Sequence, residues 1–197
     1  MDPNIILNRV MRLARLDTTV FDEVRDDERE TLPAIIVAVV AAFLAGLGSF
    51  LWMEIVPSFS PDNAFLNQFI LGSIFLAAMY GVSALVAYVV LAQMYKVQAD
   101  LKAIIRTMGY AAIPLAASVL MFIPVIFPVF AIVPLAALFV MMIYALQSAT
   151  GAESNQVVIS ALIGFSVMVL VCGLIAVSSD TAKAPLGAGL FGILPNI

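Results

Sequence analysis

A run of 46 residues without a charged side chain, from Thr107 to Ala152, limits the possible folds more than any other feature of the chain. As a single α-helix this run would be about 69 Å long, whereas the hydrocarbon core of a bilayer is about 30 Å thick. Two crossings fit, with a turn at Pro124 and Pro128, because each proline disfavours helix at the residue before it. The run therefore predicts a hairpin of two spans, about Met108 to Ile123 and about Val129 to Gln147.

The chain as a whole is apolar. Of its 197 residues, 63% are hydrophobic and 11% are charged, and the mean hydropathy is +1.11. Soluble domains carry about 25% charged residues, so the composition predicts an integral membrane protein. Further apolar stretches predict a first span from Leu32 to about Val56, a second from about Asn67 to Tyr95 and a fifth from Gln156 to about Ser178. We therefore predict an all-α, polytopic membrane helical bundle with five transmembrane helices and short interfacial amphipathic helices.

Composition also divides the chain into three parts. Residues 1–31 form a charged, cytoplasmic N-terminal segment, residues 32–178 form the membrane domain, and residues 179–197 form a Gly- and Pro-rich apolar tail. Residues 17–30 mix both signs of charge, a pattern typical of a solvated connector.

Two short stretches have the pattern of amphipathic helices that lie in the membrane interface. Arginines on such helices can contact anionic head groups. For the first helix, packing on the protein's own cytoplasmic face is an alternative that stays open. The predicted interfacial basic face consists of Arg9, Arg12 and Arg15 on the first helix and Lys102 and Arg106 on the second.

The distribution of Lys and Arg predicts the orientation in the membrane. Five precede the first span, the first loop has none and the second loop has three. The third and fourth loops have none, and the tail has only Lys183. Because positive charge favours the cytoplasmic side, we predict a cytoplasmic N-terminus and an external C-terminus. The short segment before the first span favours a prokaryotic plasma (inner) membrane.

Small residues recur every four positions in the first two spans. Such ridges allow close approach of a second helix, which is compatible with a homo-oligomer or a larger membrane complex in the lipid bilayer. The predicted helix-packing residues are Ala38, Ala42 and Gly46 in the first span and Ser73, Ala77 and Gly81 in the second.

The composition argues against several kinds of chemistry. Histidine is absent, which excludes imidazole metal ligands and His-based acid–base catalysis, and Cys172 lies in an apolar run typical of a buried hydrophobe. The predicted spans hold no ionisable group at membrane depth, which argues against a charge-coupled transporter. The chain has no basic patch suited to nucleic acid. We expect no enzyme, no metal and no cofactor.

The order of these parts resembles the Yip domain family, whose eukaryotic members are named for interacting with Ypt/Rab small GTPases. The segment "RVMRLARLDTTVFDEVRDD" at 9–27 is similar to the N-terminal segment of bacterial members, and "DLKAIIRTMGYAAIP" at 100–114 is similar to the family's central segment. The Asp-Leu-x-Gly-Pro-type segment of eukaryotic members is absent. The resemblance therefore implies the fold first, and GTPase binding only distantly.

Gly109, Tyr110 and Pro114 carry the central part of this resemblance. Their functional interpretation is a contact with a partner or lipid. Their structural interpretation is a hinge where the chain enters the membrane: Gly109 changes the helix direction, Tyr110 anchors at head-group level and Pro114 kinks the third span.

The function predicted from these features is that of a non-enzymatic Yip-type membrane protein, acting as an organiser, adaptor or accessory subunit of a membrane complex. The alternative is a channel or carrier for a small neutral or lipidic solute, with the third and fourth spans as its gate.

Overall fold

A computed structural model describes residues 3–55 and 65–178 of the chain. The predicted loop at 57–63 and the predicted tail at 179–197 lie outside these residues. The described residues form seven α-helices and contain no strand. The helices are α1 (Pro3–Ala14), α2 (Val20–Asp26), α3 (Thr31–Ile55), α4 (Gly72–Val89), α5 (Leu101–Ala111), α6 (Phe127–Thr150) and α7 (Ser154–Ser178).

Five helical stretches are long and apolar enough to cross a membrane, which confirms the predicted five-span, all-α bundle. The second is the longest, because π-helical turns extend α4 at both ends, at Phe65–Leu71 and Val90–Met94. The five stretches are Glu28–Ile55, Phe65–Met94, Leu101–Phe122, Phe127–Thr150 and Ser154–Ile175.

The third stretch differs from the prediction. The second amphipathic helix was expected to lie separately in the interface, but it forms the first half of this stretch as α5. The Asp100 side chain caps α5 by accepting hydrogen bonds from the backbone N–H groups of Lys102 and Ala103, at 3.0 and 3.3 Å. After α5 the chain continues as a 3₁₀ helix over Ile113–Phe122, which we call the 3₁₀ segment, with Pro114 in its first turn. A 3₁₀ helix rises about 2.0 Å per residue against 1.5 Å in an α-helix, so these residues reach further across the bilayer.

The hairpin turn between the third and fourth stretches contains Pro124. Pro128 lies just after it, in the first turn of α6, where a proline costs no hydrogen bond. At its other end α6 stops at Gly151, which has φ of 61° and donates its N–H to the Gln147 carbonyl at 2.9 Å. This left-handed conformation favours glycine and ends the helix sharply.

Close helix contacts occur where one helix presents a glycine. A Cβ added at Gly48 would lie 2.3 Å from the Ser118 carbonyl oxygen, and one at Gly164 would lie 2.3 Å from the Ser83 carbonyl oxygen. These contacts bring α3 against the 3₁₀ segment and α7 against α4, since only a residue without a side chain fits there.

The predicted small-residue ridges separate into two groups in the structure. Ala42, Gly46 and Ser73 are buried, and Gly46 faces the Ser73 side chain across the α3–α4 contact. The other members line an open groove between helices instead, and they are Ala38, Ala77 and Gly81.

The N-terminal segment is folded onto the bundle, so the prediction of a solvated connector over residues 17–30 was wrong. Val20, Phe21 and Val24 of α2 are completely buried, and α2 packs against α5 and α6. A 3₁₀ turn at Glu28–Glu30 then leads into α3. The three apolar side chains recur at helical spacing, which is why the segment can bury one face while its charges stay on the other.

Candidate functional site at the junction of the cap and the membrane helices

Residues 3–30 form a cap on one end of the bundle, made of α1, α2 and the 3₁₀ turn. The same end holds the start of α5 and the C-terminal end of α6. The cap is the described part of the chain in which most of the charged side chains lie, and polar contacts to α5 and α6 attach it.

The first of these contacts joins Arg9, Glu30 and Tyr110, and we call it the junction. The Tyr110 hydroxyl donates a hydrogen bond to one Glu30 carboxylate oxygen at 2.6 Å, and Arg9 forms an ion pair with the other. Tyr110 is fully buried and Glu30 is 8% exposed. The junction therefore ties α1, the 3₁₀ turn before α3 and the end of α5 together in a largely water-free position.

Burial opposes the charged form of Arg9, but the hydrogen bond and the charge of Glu30 outweigh it, so the pKa of Arg9 is raised. A second carboxylate is close, because Oε2 of Glu23 lies 3.8 Å from Nε of Arg9. A nearly buried ion pair stabilises a protein only when further hydrogen bonds satisfy its remaining atoms. The Tyr110 hydroxyl supplies such a bond.

A second contact centres on Arg106, which is only 4% exposed. Its guanidinium donates to the Arg25 carbonyl through Nε, at 2.9 Å, and through Nη2. Arg25 donates in turn to the Ser148 carbonyl at 3.0 Å, and the Ser148 hydroxyl donates to Asp22 at 2.7 Å. This chain of bonds connects α5, α2 and α6.

Three of the five residues of the predicted interfacial basic face are paired within the protein. Arg12 donates to Asp17 at 2.8 Å and to Glu23 at 2.7 Å, while Arg9 and Arg106 make the contacts above. Acidic side chains of the cap face the arginines of α1 because the chain reverses between α1 and α2. Of the predicted face, Arg15 and Lys102 remain exposed.

The exposed side of α1 includes apolar side chains, although Leu13 of the same helix is buried. Leu7 is 56% exposed and Met11 is 47% exposed, and they lie four residues apart on the side opposite Arg9. The amphipathic pattern of α1 was predicted from the sequence, and in the fold Arg9 and Arg12 pair with acidic residues of the cap while Leu13 is buried.

The family-resembling residues serve contacts inside the protein. A Cβ added at Gly109 would lie 2.5 Å from the Ala34 carbonyl oxygen, so this glycine allows α5 to touch α3. The helix continues through Gly109 and ends at Ala111, and the 3₁₀ segment begins at Ile113, just before Pro114. Tyr110 is buried at the junction, so it does not anchor at head-group level.

Sequence reasoning did not single out Glu30, the acceptor at the junction. It lies 80 residues from Tyr110 in the chain, so no local spacing connects the two. The available signal was its position, because it is the last charged residue before an apolar helix. Within the described ranges, no three Cys, Asp or Glu side chains converge as metal ligands.

Two acidic residues predict how the internal contacts of the cap depend on pH. A hydrogen bond from the Thr19 hydroxyl and the Arg12 guanidinium lower the pKa of Asp17, and the Arg25 guanidinium lowers the pKa of Asp26. The pKa of an aspartate in an unfolded chain is about 3.9. Because the pKa values of Asp17 and Asp26 are lower in the fold, these contacts stabilise the cap above about pH 4, and this stabilisation is lost as the pH falls below it.

Hydrogen exchange in detergent, corrected for the intrinsic rate, measures this effect. We expect protection of α2 to be constant between pH 7 and pH 5 and to fall below about pH 4. Protection of the centre of α7, which has no charged residue, is the internal control. Equal pH dependence in α2 and α7 would contradict the prediction.

Comparison with known proteins gives one match. A family model described as Yip1 domain matches residues 17–177, which include α2, the junction residues Glu30 and Tyr110, and Arg106. No curated protein and no solved structure matches the chain.

Proposed function

This chain belongs to the Yip1 domain family, and from that premise we propose that it is a non-enzymatic membrane organiser, adaptor or accessory subunit of a membrane complex. The observation that carries the proposal is the attachment of the cap to the bundle by the junction and by the Arg106 contact. The cap thereby becomes a defined surface at one end of a multi-pass membrane protein.

The outward side of the cap has the composition of a binding surface for another protein. It displays charges of both signs next to the apolar side of α1. A surface held in one conformation loses little conformational entropy on binding, which favours affinity. Charges of both signs favour a partner with a complementary pattern. The exposed charged side chains are Arg15, Asp22, Glu23, Asp26, Glu28 and Arg29.

We also propose that this surface lies in the cytoplasm of a prokaryote, at the plasma membrane. The support is the excess of Lys and Arg before the first span and in the second loop. The cap, the start of α5 and the end of α6 lie at one end of the bundle, which is consistent with that arrangement.

Co-purification from native membranes tests the adaptor proposal. Glu28→Lys reverses an exposed charge whose side chain makes no contact that holds the cap among the residues that the structure describes, so the fold is expected to persist. We expect recovery of the partner protein to fall about tenfold, the effect of roughly 1.4 kcal/mol of like-charge repulsion. The proteins recovered in mild detergent are quantified by mass spectrometry.

Glu54→Lys is the matched control, because Glu54 is also exposed but lies at the other end of α3. It is expected to leave recovery of the partner unchanged. A chain that purifies as a strict monomer, without any partner or lipid dependence, would contradict the adaptor function.

The alternative of a channel or carrier requires a path gated by the third and fourth spans. The 3₁₀ segment packs closely against α3 at Gly48 and Ser118, and Leu115 and Met121 are buried. This packing favours the adaptor. Flux of neutral solutes into liposomes discriminates the two functions, and flux altered by Pro114→Ala or Pro124→Ala would favour the gate.

A further inference from the structure

A groove of about 380 Å³ lies between α3, α4 and α5. Its one hydroxyl, on Tyr80, already donates to the Met108 carbonyl at 2.6 Å. A polar occupant would leave its own hydrogen bonds unmade there, at a cost of several kcal/mol, so the lining favours a hydrocarbon chain. The walls include Ala38 and Val39 of α3, Gly81 and Leu85 of α4, and Leu101 and Ile105 of α5.

The groove opens sideways, on the surface that faces lipid. Val39, Leu85 and Leu101 at its edges are exposed, and each belongs to a stretch long and apolar enough to cross a membrane. Its depth comes from small residues, because a Cβ added at Gly81 would meet no atom within 4 Å. Acyl chains of the bilayer therefore have direct access to it.

A lysine directly follows a lining residue of the groove at the start of α5. Lys102 is exposed, follows Leu101 directly, and takes part in no ion pair among the described residues. The neighbouring Asp100 carboxylate is occupied as the cap of α5. An ammonium group next to an apolar groove matches a lipid that carries a phosphate on a hydrocarbon chain.

We propose that this groove is a binding site for an anionic phospholipid, with one acyl chain between α3, α4 and α5 and the phosphate at Lys102. The site is separate from the outward surface of the cap, so it goes beyond the proposed adaptor function. It gives the protein a specific lipid as a ligand, in addition to the bilayer as a solvent.

Gly81→Leu tests the acyl-chain part of the proposal, because Gly81 lines the groove and a Cβ added there meets no atom within 4 Å. Purified protein is titrated with phosphatidylglycerol in detergent, and bound lipid is counted by native mass spectrometry. We expect one tightly bound phosphatidylglycerol in the wild type and at least about tenfold weaker binding in Gly81→Leu.

Gly173→Leu is the matched control, since a Cβ at Gly173 of α7 also meets no atom within 4 Å. It is expected to bind phosphatidylglycerol like the wild type. Lys102→Gln is expected to remove the preference for phosphatidylglycerol over phosphatidylcholine, whereas Arg15→Gln, which removes another exposed charge, is expected to keep it.

Photolabelling of the wild-type protein tests the site without relying on the folding of a variant. Phosphatidylglycerol with a diazirine on one acyl chain is expected to label residues 77–85 and 101–109 in preference to α7. Equal labelling of α7 would overturn the proposal. Normal binding of phosphatidylglycerol by Gly81→Leu would also overturn it. If Gly81→Leu changes only the oligomeric state, the groove belongs to a second copy of the chain and the proposal is overturned as well.

Discussion

Glu30→Ala is expected to lower the free energy of unfolding by about 3 kcal/mol, because removing one member of a buried ion pair typically costs about 3–5 kcal/mol. The variant leaves the Arg9 guanidinium without its carboxylate and the buried Tyr110 hydroxyl without its acceptor. We expect a value at the lower limit of this range because the Arg9 side chain is 13% exposed and can still pair with Glu23. Unfolding by SDS in mixed micelles, followed by circular dichroism, measures the difference.

Two further variants distinguish the loss of the ion pair between Arg9 and Glu30 from the cost of leaving a buried polar group without a partner. Glu30→Gln keeps an acceptor for Tyr110 but removes the charge, so it is expected to lie between the wild type and Glu30→Ala. The triple variant Arg9→Met, Glu30→Leu, Tyr110→Phe replaces every polar group of the junction by an apolar one. It is expected to be more stable than Glu30→Ala, since apolar replacements of whole buried pairs are often neutral. A triple variant less stable than Glu30→Ala would contradict this account.

Gly109→Ala is expected to have the second large effect, although it adds only one methyl group. The new Cβ would lie 2.5 Å from the Ala34 carbonyl oxygen and 2.6 Å from the Ala34 Cβ, so α3 and α5 must move apart. Forcing an extra methyl group into a packed contact costs about 1–3 kcal/mol. The displaced α5 also draws the adjacent Tyr110 away from Glu30, which adds to the loss. The same SDS titration measures it.

Gly81→Ala is the control for Gly109→Ala, because Gly81 is also inside a helix but its added Cβ meets no atom. Exchanging an unhindered helical glycine for alanine stabilises a helix by about 0.5–1 kcal/mol, so the two variants are expected to have opposite signs. If both shift the stability in the same direction by the same amount, close packing is not the reason for Gly109.

These two predictions concern neighbouring residues of the family-resembling segment. Gly109 faces α3, and Tyr110 reaches the junction, so two adjacent residues position α5 and attach the cap. A loss of partner recovery in both Glu30→Ala and Glu28→Lys, with a loss of stability only in Glu30→Ala, would separate attachment of the cap from the cap surface itself.

The membrane helices were predictable because their signals are local. The length of the uncharged run excluded one crossing, and the prolines predicted a turn between Ile123 and Val129. The structure has this turn between Phe122 and Phe127. The ends of the third stretch were less predictable. Asp100 starts a helix that merges with the span, and Pro114 changes its geometry to a 3₁₀ helix.

The cap could not be predicted in the same way. Its amphipathic helix has a basic and an apolar side, and the sequence pattern is identical whichever side faces inward. The deciding factor is the position of Glu23 and Glu30, which pair with arginines of α1 only after the chain reverses. The buried apolar residues of α2 had a helical spacing, but the high charge of the segment obscured it.

By itself, the sequence determined the membrane class, the number of crossings and the position of the hairpin turn, because hydrocarbon thickness and proline geometry act on neighbouring residues. Only the tertiary structure decided which side of α1 faces inward, why Gly109 must be small and what the Tyr110 hydroxyl binds. Those properties depend on atoms of residues far apart in the chain, whose meeting is set by how the helices pack.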